Sequence, residues 1–155
     1  RGAYRRPPEQ LVQFRECGMS NARLVLDTNI VSYLMRGGTE AELYAPLLEN
    51  RLLAITFITV GELYYGAEYR NWGEKRRRAL ETHLRNFVVI PYDHEIARSY
   101  GRILAALTRN GTGIGVSDAW IAACALRHTT PLVTHNYKHF RHVADLEVIT
   151  KEVEE

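Results

Sequence analysis

Four short apolar runs set the terms for this chain: Arg23–Leu26 (RLVL), Leu53–Ile55 (LAI), Phe87–Ile90 (FVVI) and Pro131–Thr134 (PLVT). None alternates apolar with polar residues, so none is suited to a sheet with one face in water. Segments of helical character separate them: Asn29–Arg36, Glu40–Asn50, a helix capped by Thr56 or Thr59 and running to Tyr69, and Gly73–Asn86. Asp93 is placed to cap a helix reaching Arg109, and Ser117 to cap Asp118–His128. Val148–Ile149 closes the set. Continuous strands alternating with helices predict an α/β fold, a central short parallel sheet flanked by helices on both faces. With 155 residues, 46% of them apolar, the chain can bury one core without staples.

The ends of those strands are where chemistry is expected, because open α/β sheets bind ligands outside their carboxyl edges. Aspartate is scarce: four of 18 acids are Asp, at 27, 93, 118 and 145. Asp27 follows the first strand directly, in L-V-L-D-T-N. It is either a rim carboxylate or the N-cap of the next helix. Glu62 sits in I-T-V-G-E-L-Y-Y-G-A, a helix with apolar or small residues on nearly every side. A carboxylate in such surroundings is costly unless paired or metal-bound; it otherwise marks a polar edge. Asp118 opens S-D-A-W-I-A-A-C-A-L, where the helix dipole favours its charge and capping is the plainer role. Taken together, three acids converging on one end of a sheet repel one another unless a cation neutralises them. Hard oxygen donors without a cysteine cluster suit Mg²⁺ or Mn²⁺.

Four segments in order carry a resemblance: L-V-L-D-T-N-I at 24–30, V-G-E-L-Y-Y-G-A at 60–67, G-T-G-I-G-V-S-D-A-W-I-A-A-C-A-L at 111–126 and L-V-T-H-N-Y-K-H-F at 132–140. Together they resemble the PIN domain, specifically the VapC-type toxins of toxin–antitoxin pairs, over about residues 23–150. The resemblance implies a metal-dependent endoribonuclease with Asp27, Glu62 and Asp118 on the catalytic and metal positions. A fourth acidic position of many members falls on Asn136, an amide that adds no charge. One held metal is then expected rather than two. Thr28, Asn29 and Thr134 fall where they would orient the carboxylates, or else make local turn bonds. The resemblance further implies a structured RNA such as tRNA or rRNA as substrate, a VapB-like antitoxin and a homodimer. A catalytically weak RNA-binding module and a structure-specific DNA nuclease are the alternatives.

His135, His139 and His142 sit near Lys138 and Arg141, and paired histidines can cut RNA without metal; surface placement on a short helix is the simpler expectation. G-T-G-I-G lacks the Lys-Ser/Thr of a phosphate loop and follows a helix, so it reads as a connection into the Asp118 helix. Lys75-Arg76-Arg77-Arg78 fan around a helix and are offset by acids four residues away. Arg70, Arg76, Arg77 and Arg85 nevertheless remain candidates for holding RNA phosphates. Tyr64, Tyr65, Tyr69 and Trp72 divide between core, base stacking and a partner helix. Cys17 and Cys124 make no metal or disulfide framework, and Cys124 reads as core. No stretch suggests a membrane span or a signal peptide, so a cytoplasmic protein is expected. Residues 1–22, with adjacent prolines and no sustained period, read as a flexible leader, and 151–155 as an acidic tail. Residues 1–23 hold five Arg and two Glu, so the formal +2 of the chain leaves a body of net −1.

Overall fold

The computed structural model describes residues 8–16 and 22–152. Its five strands are β1 (Arg23–Leu26), β2 (Leu52–Thr56), β3 (Val88–Ile90), β4 (Leu132–Val133) and β5 (Val148–Ile149). All neighbours pair in parallel, in the order β3-β2-β1-β4-β5. The expected architecture is therefore present. Successive residues feed opposite layers. Leu24, Leu26, Ile55 and Val133 pack into one apolar cluster, and Val25, Ala54, Val88 and Leu132 into the other. This explains the lack of alternation in the strands: both faces are dry.

Helices α2 (Thr28–Arg36), α3 (Thr39–Leu48) and α5 (Glu74–Leu84) cover the first face through Ile30, Val31, Tyr44, Leu48, Leu80 and Leu84. Helices α6 (His94–Arg109) and α7 (Val116–Arg127) cover the second, through Ile96, Ile103, Leu107 and the run Ile121–Ala125. Cys124 lies within that run and is fully buried. The fourth helix, α4 (Phe57–Tyr69), reaches both layers. Short α8 (Tyr137–Phe140) precedes β5. Asp93 caps α6 as expected, its carboxylate accepting from Ile96 N–H at 2.8 Å. Of the two threonines, Thr56 is the cap of α4, accepting from Thr59 N–H.

Three expectations change. Residues 8–16 are not a flexible leader: Pro8–Glu16 forms α1. Its Phe14 is fully buried, and Arg23 donates to the Phe14 carbonyl at 2.7 Å. One aromatic anchor and the proline at the first helical position suffice where periodicity is weak. The remainder of 1–22, apart from residue 22, lies outside the described residues, as does most of the acidic tail. Secondly, Ser117 does not cap α7. The helix starts two residues earlier, Gly115 takes the cap position in an extended conformation without a side-chain bond, and Asp118 falls inside the first turn. Finally, α4 is not buried all round: Tyr65 and Tyr69 are 67% and 74% exposed and stack on each other. Among the described residues no helix is long and apolar enough to cross a membrane.

Candidate active site at the carboxyl end of the sheet

The strand order reverses at β1. From there the chain steps outward to β2 and β3, and β4 and β5 are added on the other side. In a sheet of this kind the reversal opens a crevice at the carboxyl ends. Asp27 is the first residue past β1, and Thr134 the first past β4. They meet across the reversal, Thr134 Oγ1 donating to Asp27 Oδ2 at 2.7 Å. Thr28 N–H donates to Asp27 Oδ1 at 2.8 Å, so Asp27 is both cap and rim acid.

Glu62 is brought to the same place by α4. Thr28 Oγ1 donates to Glu62 Oε1 at 2.9 Å and lies 2.9 Å from Thr59 Oγ1. Asp118 arrives on the first turn of α7. It folds back over the cap, where a Cβ added to Gly115 would stand 3.5 Å from Asp118 Oδ2. His139 Nδ1 sits 3.0 Å from Asp118 Oδ2. His139 is thus the one member of the histidine group in contact with these acids among the described residues. His135 instead pairs with the Tyr44 hydroxyl at 2.7 Å, and His142 with Arg141.

Electrostatics support a common pole. Burial pushes Asp27 up to about 6; the Thr134 and Thr28 bonds oppose this, and the charges of Asp118 and Glu62 add to it. Burial also raises Asp118, opposed by His139. Asp27 is only 5% exposed, yet both oxygens accept hydrogen bonds, which is how a buried carboxylate keeps its charge. Each accepting oxygen has a further lone-pair direction for a cation. The donor set is therefore chemically suited to a hard divalent ion. Among the described residues, no three His, Cys, Asp or Glu side chains stand grouped so that they could hold a metal ion.

The supporting residues divide. Asn29 Oδ1 accepts from His135 N–H at 3.4 Å, and its Nδ2 is buried without a partner among the described residues. Asn136 N–H donates to Thr134 Oγ1 at 3.0 Å, tying the position to the Asp27 network through its backbone.

A groove of about 730 Å³ runs from Thr28 and Glu62 along α2, α4 and α5, past Tyr65, Tyr69 and Trp72. Arg70 and Arg76 line it, and Arg76 lies over the Trp72 ring at 4.1 Å. Arg77 does not share that role: it bonds Glu68 and donates to the Trp72 carbonyl at 2.7 Å. Arg85 caps the end of α5, away from the groove lining.

Comparison with known proteins agrees with this geometry. Residues 24–146 match the PIN domain. Ribonuclease VapC1 of Haemophilus influenzae is 38% identical over 125 residues, 79% of this chain and 93% of the relative. The tRNA(fMet)-specific endonuclease VapC of Shigella flexneri is 30% identical over 124 residues, 80% and 94% of the two chains. The structure of VapBC-1 from nontypeable Haemophilus influenzae superposes with a TM-score of 0.72 at 36% identity, over 83% of this chain and 97% of the other. Sequence, sheet order and the pole of acids converge, and this chain belongs to the PIN domain family, with the VapC ribonucleases among its relatives.

Proposed function

We propose that this protein is a metal-dependent endoribonuclease, the toxin of a VapBC-type pair, cutting a structured RNA such as tRNA or rRNA in the cytoplasm. The observation that carries the reading is the meeting of Asp27, Thr134, Thr28 and Glu62 across the reversal of strand order, with Asp118 acting electrostatically on Asp27. Asp27 and Asp118 would hold Mg²⁺ or Mn²⁺, with Glu62 ligating or orienting a water. When bound, such a cation supplies charge neutralisation at phosphate and a water acidic enough to attack at neutral pH. The chain's own work is positional. Thr134 and Thr28 keep Asp27 ionised, Thr28 and Thr59 fix Glu62, and Arg70 and Arg76 line the approach for a polyanion. Attack by water leaves a 5′-phosphate and a 3′-hydroxyl.

A VapB-like antitoxin would occupy the groove that opens on Glu62, an apolar segment lying against Met35, Leu63 and Trp72. A homodimer is the expected toxin assembly.

The test is to incubate the metal-loaded chain with total tRNA, ribosomal RNA and single-stranded DNA, then map the cut ends. RNA cleavage that EDTA abolishes and Mg²⁺ or Mn²⁺ restores is expected. Cleavage that survives EDTA would move the chemistry to the histidines. Cleavage of DNA alone would make the chain a DNA nuclease, and metal binding without cleavage a binding module.

A further inference from the structure

We infer that Arg15, Arg23 and Arg127 form a phosphate-binding cavity at the amino edge of the sheet, remote from the acids, and that it takes a backbone phosphate of the RNA. The cavity stands on its own geometry; only the source of the phosphate rests on the RNA reading above.

Placement is the first argument. Residues 1–23 hold five Arg and two Glu, an excess that the carboxyl end does not use. Arg15 lies in the last turn of α1, Arg23 opens β1 and Arg127 ends α7. From these separate elements the three arginines line one cavity of about 340 Å³, together with His128 and Thr129. No acid is among the described residues that line it.

Charge is the second. Arg127 is matched by Asp93, Nε to Oδ2 at 3.0 Å. Arg23 donates instead to the carbonyls of Phe14 at 2.7 Å and His128 at 3.3 Å, which carry no net charge. It thereby covers carbonyls at the ends of α1 and α7 that would otherwise repel an anion. Arg15 is exposed and has no ion pair among the described residues. Three positive charges against the one carboxylate leave two. His128 feels the same field: burial first, then Arg15, Arg127 and Arg23, hold its proton off, with Asp93 opposing. A field that repels a proton attracts an anion, and the planar fork of arginine suits phosphate oxygens.

Unfinished bonding is the third. His128 is 7% exposed, and its Nε2 has no hydrogen-bond partner among the described residues; nor has the buried Nε of Arg23. Open polar atoms are uncommon in a native interior and point to a water or an ion. Thr129 lies at a φ of 47°, a conformation that strains a β-branched residue and suits glycine at a helix end. Strain of this kind collects at functional sites.

Reach is the last. β1 is four residues long, so the two edges of the sheet are about 13 Å apart at about 3.3 Å per residue. A folded RNA held at the acids spans that distance.

The test uses inorganic phosphate and a short 5′-hydroxyl RNA on the full chain in EDTA. The His128 ring resonance is followed by NMR at pH 7, with chloride holding the ionic strength constant. Saturable movement with millimolar phosphate is expected. Affinity should be roughly tenfold lower in Arg15→Gln and unchanged in a variant of the exposed α6 residue Arg98, Arg98→Gln. The RNA should move the same resonance. In Arg15→Gln the slope of log RNA affinity against log salt should fall by about one, which a packing role for Arg15 would not change. Movement with phosphate but not with RNA would overturn the RNA source. No movement with either, or equal affinity in Arg15→Gln, would overturn the cavity. Both failures leave the carboxylate reading standing, because EDTA-sensitive cleavage tests that reading separately.

Discussion

Asp27 and His128 lie at opposite ends of the same sheet, and burial acts on both. Asp27, just past β1, is pushed up to about 6. His128, between α7 and β4 at the amino end, is pushed down to about 4 by burial and by Arg15, Arg127 and Arg23. In each case desolvation favours the neutral form. The surroundings then diverge. Asp27 receives a hydrogen bond on each oxygen and can carry its charge. His128 is wedged against Phe14 with its Nε2 unpartnered among the described residues, and can carry none. The carboxyl end spends stability to keep an ionised group under cover; the amino end keeps a packed, uncharged one. Burial of a titratable side chain therefore does not by itself mark a site. What marks it is the supply of hydrogen bonds to the charged form.

The largest effects fall on Asp27. Asp27→Asn keeps the size and the bond from Thr28 and removes the charge. RNA cleavage should fall by at least ~100-fold, since ligand loss exceeds the effect of losing an outer-shell partner. Stability should move the other way. The folded protein holds the Asp27 proton more tightly than the unfolded chain, so the neutral form's contribution is complete below about pH 4 and lost by pH 6 to 7. In metal-free protein, Asp27→Asn should therefore gain up to about 3 kcal/mol at pH 7. That gain should shrink to nothing near pH 4. Thermal melts at pH 4, 5.5 and 7 check the trend. A variant that melts lower than the original chain at pH 7 would break the contrast, because the carboxylate would then be stabilising.

The next effect is on the bond that separates the two ends. Thr134→Val preserves shape and removes the hydroxyl that donates to Asp27 and accepts from Asn136 N–H. Cleavage should fall roughly 10- to 100-fold near pH 6 to 7. Without that bond Asp27 rises further, so the acid limb of the pH–rate profile should move upward and activity should recover in part at higher pH. A uniform loss at every pH would mean that Thr134 only packs.

Much of this was legible in the sequence, and the failures are informative. Dry strands were readable because R-L-V-L and F-V-V-I have no polar face, and they placed Asp27 at a rim. Thr134 was readable as a motif position, but its bond to Asp27 depends on β4 lying beside β1, and strand order is not written in local pattern. His139 appeared only as one of three nearby histidines. Which of them reaches Asp118 is decided by the docking of α8 through Phe140. Ser117 looked like a cap because Ser before an acid usually is one, and Gly115 took that place two residues upstream. Helix α1 was missed because its stability comes from one aromatic in a distant core rather than from its own periodicity.

The smallest effect belongs to His128. Its folded value lies below the ordinary 6.5, near 4, so the unfolded chain takes up a proton first as the pH drops. The native state should lose stability from about pH 6.5 down to about 4 on this account, while Asp27 gains over part of the same range. The two ends therefore pull in opposite directions in mild acid. His128→Phe removes the proton uptake, keeps the ring against Phe14, and eliminates the buried unpartnered nitrogen. Its melting temperature relative to the original chain should rise as the pH falls from 7 to 5, by a few degrees. Combined with Asp27→Asn, the pH dependence across that range should flatten. A His128→Phe protein whose advantage is the same at pH 5 and pH 7 would show that the histidine takes up its proton in the fold as readily as in the unfolded chain. The contrast between a charged end and a neutral one would then have to be abandoned.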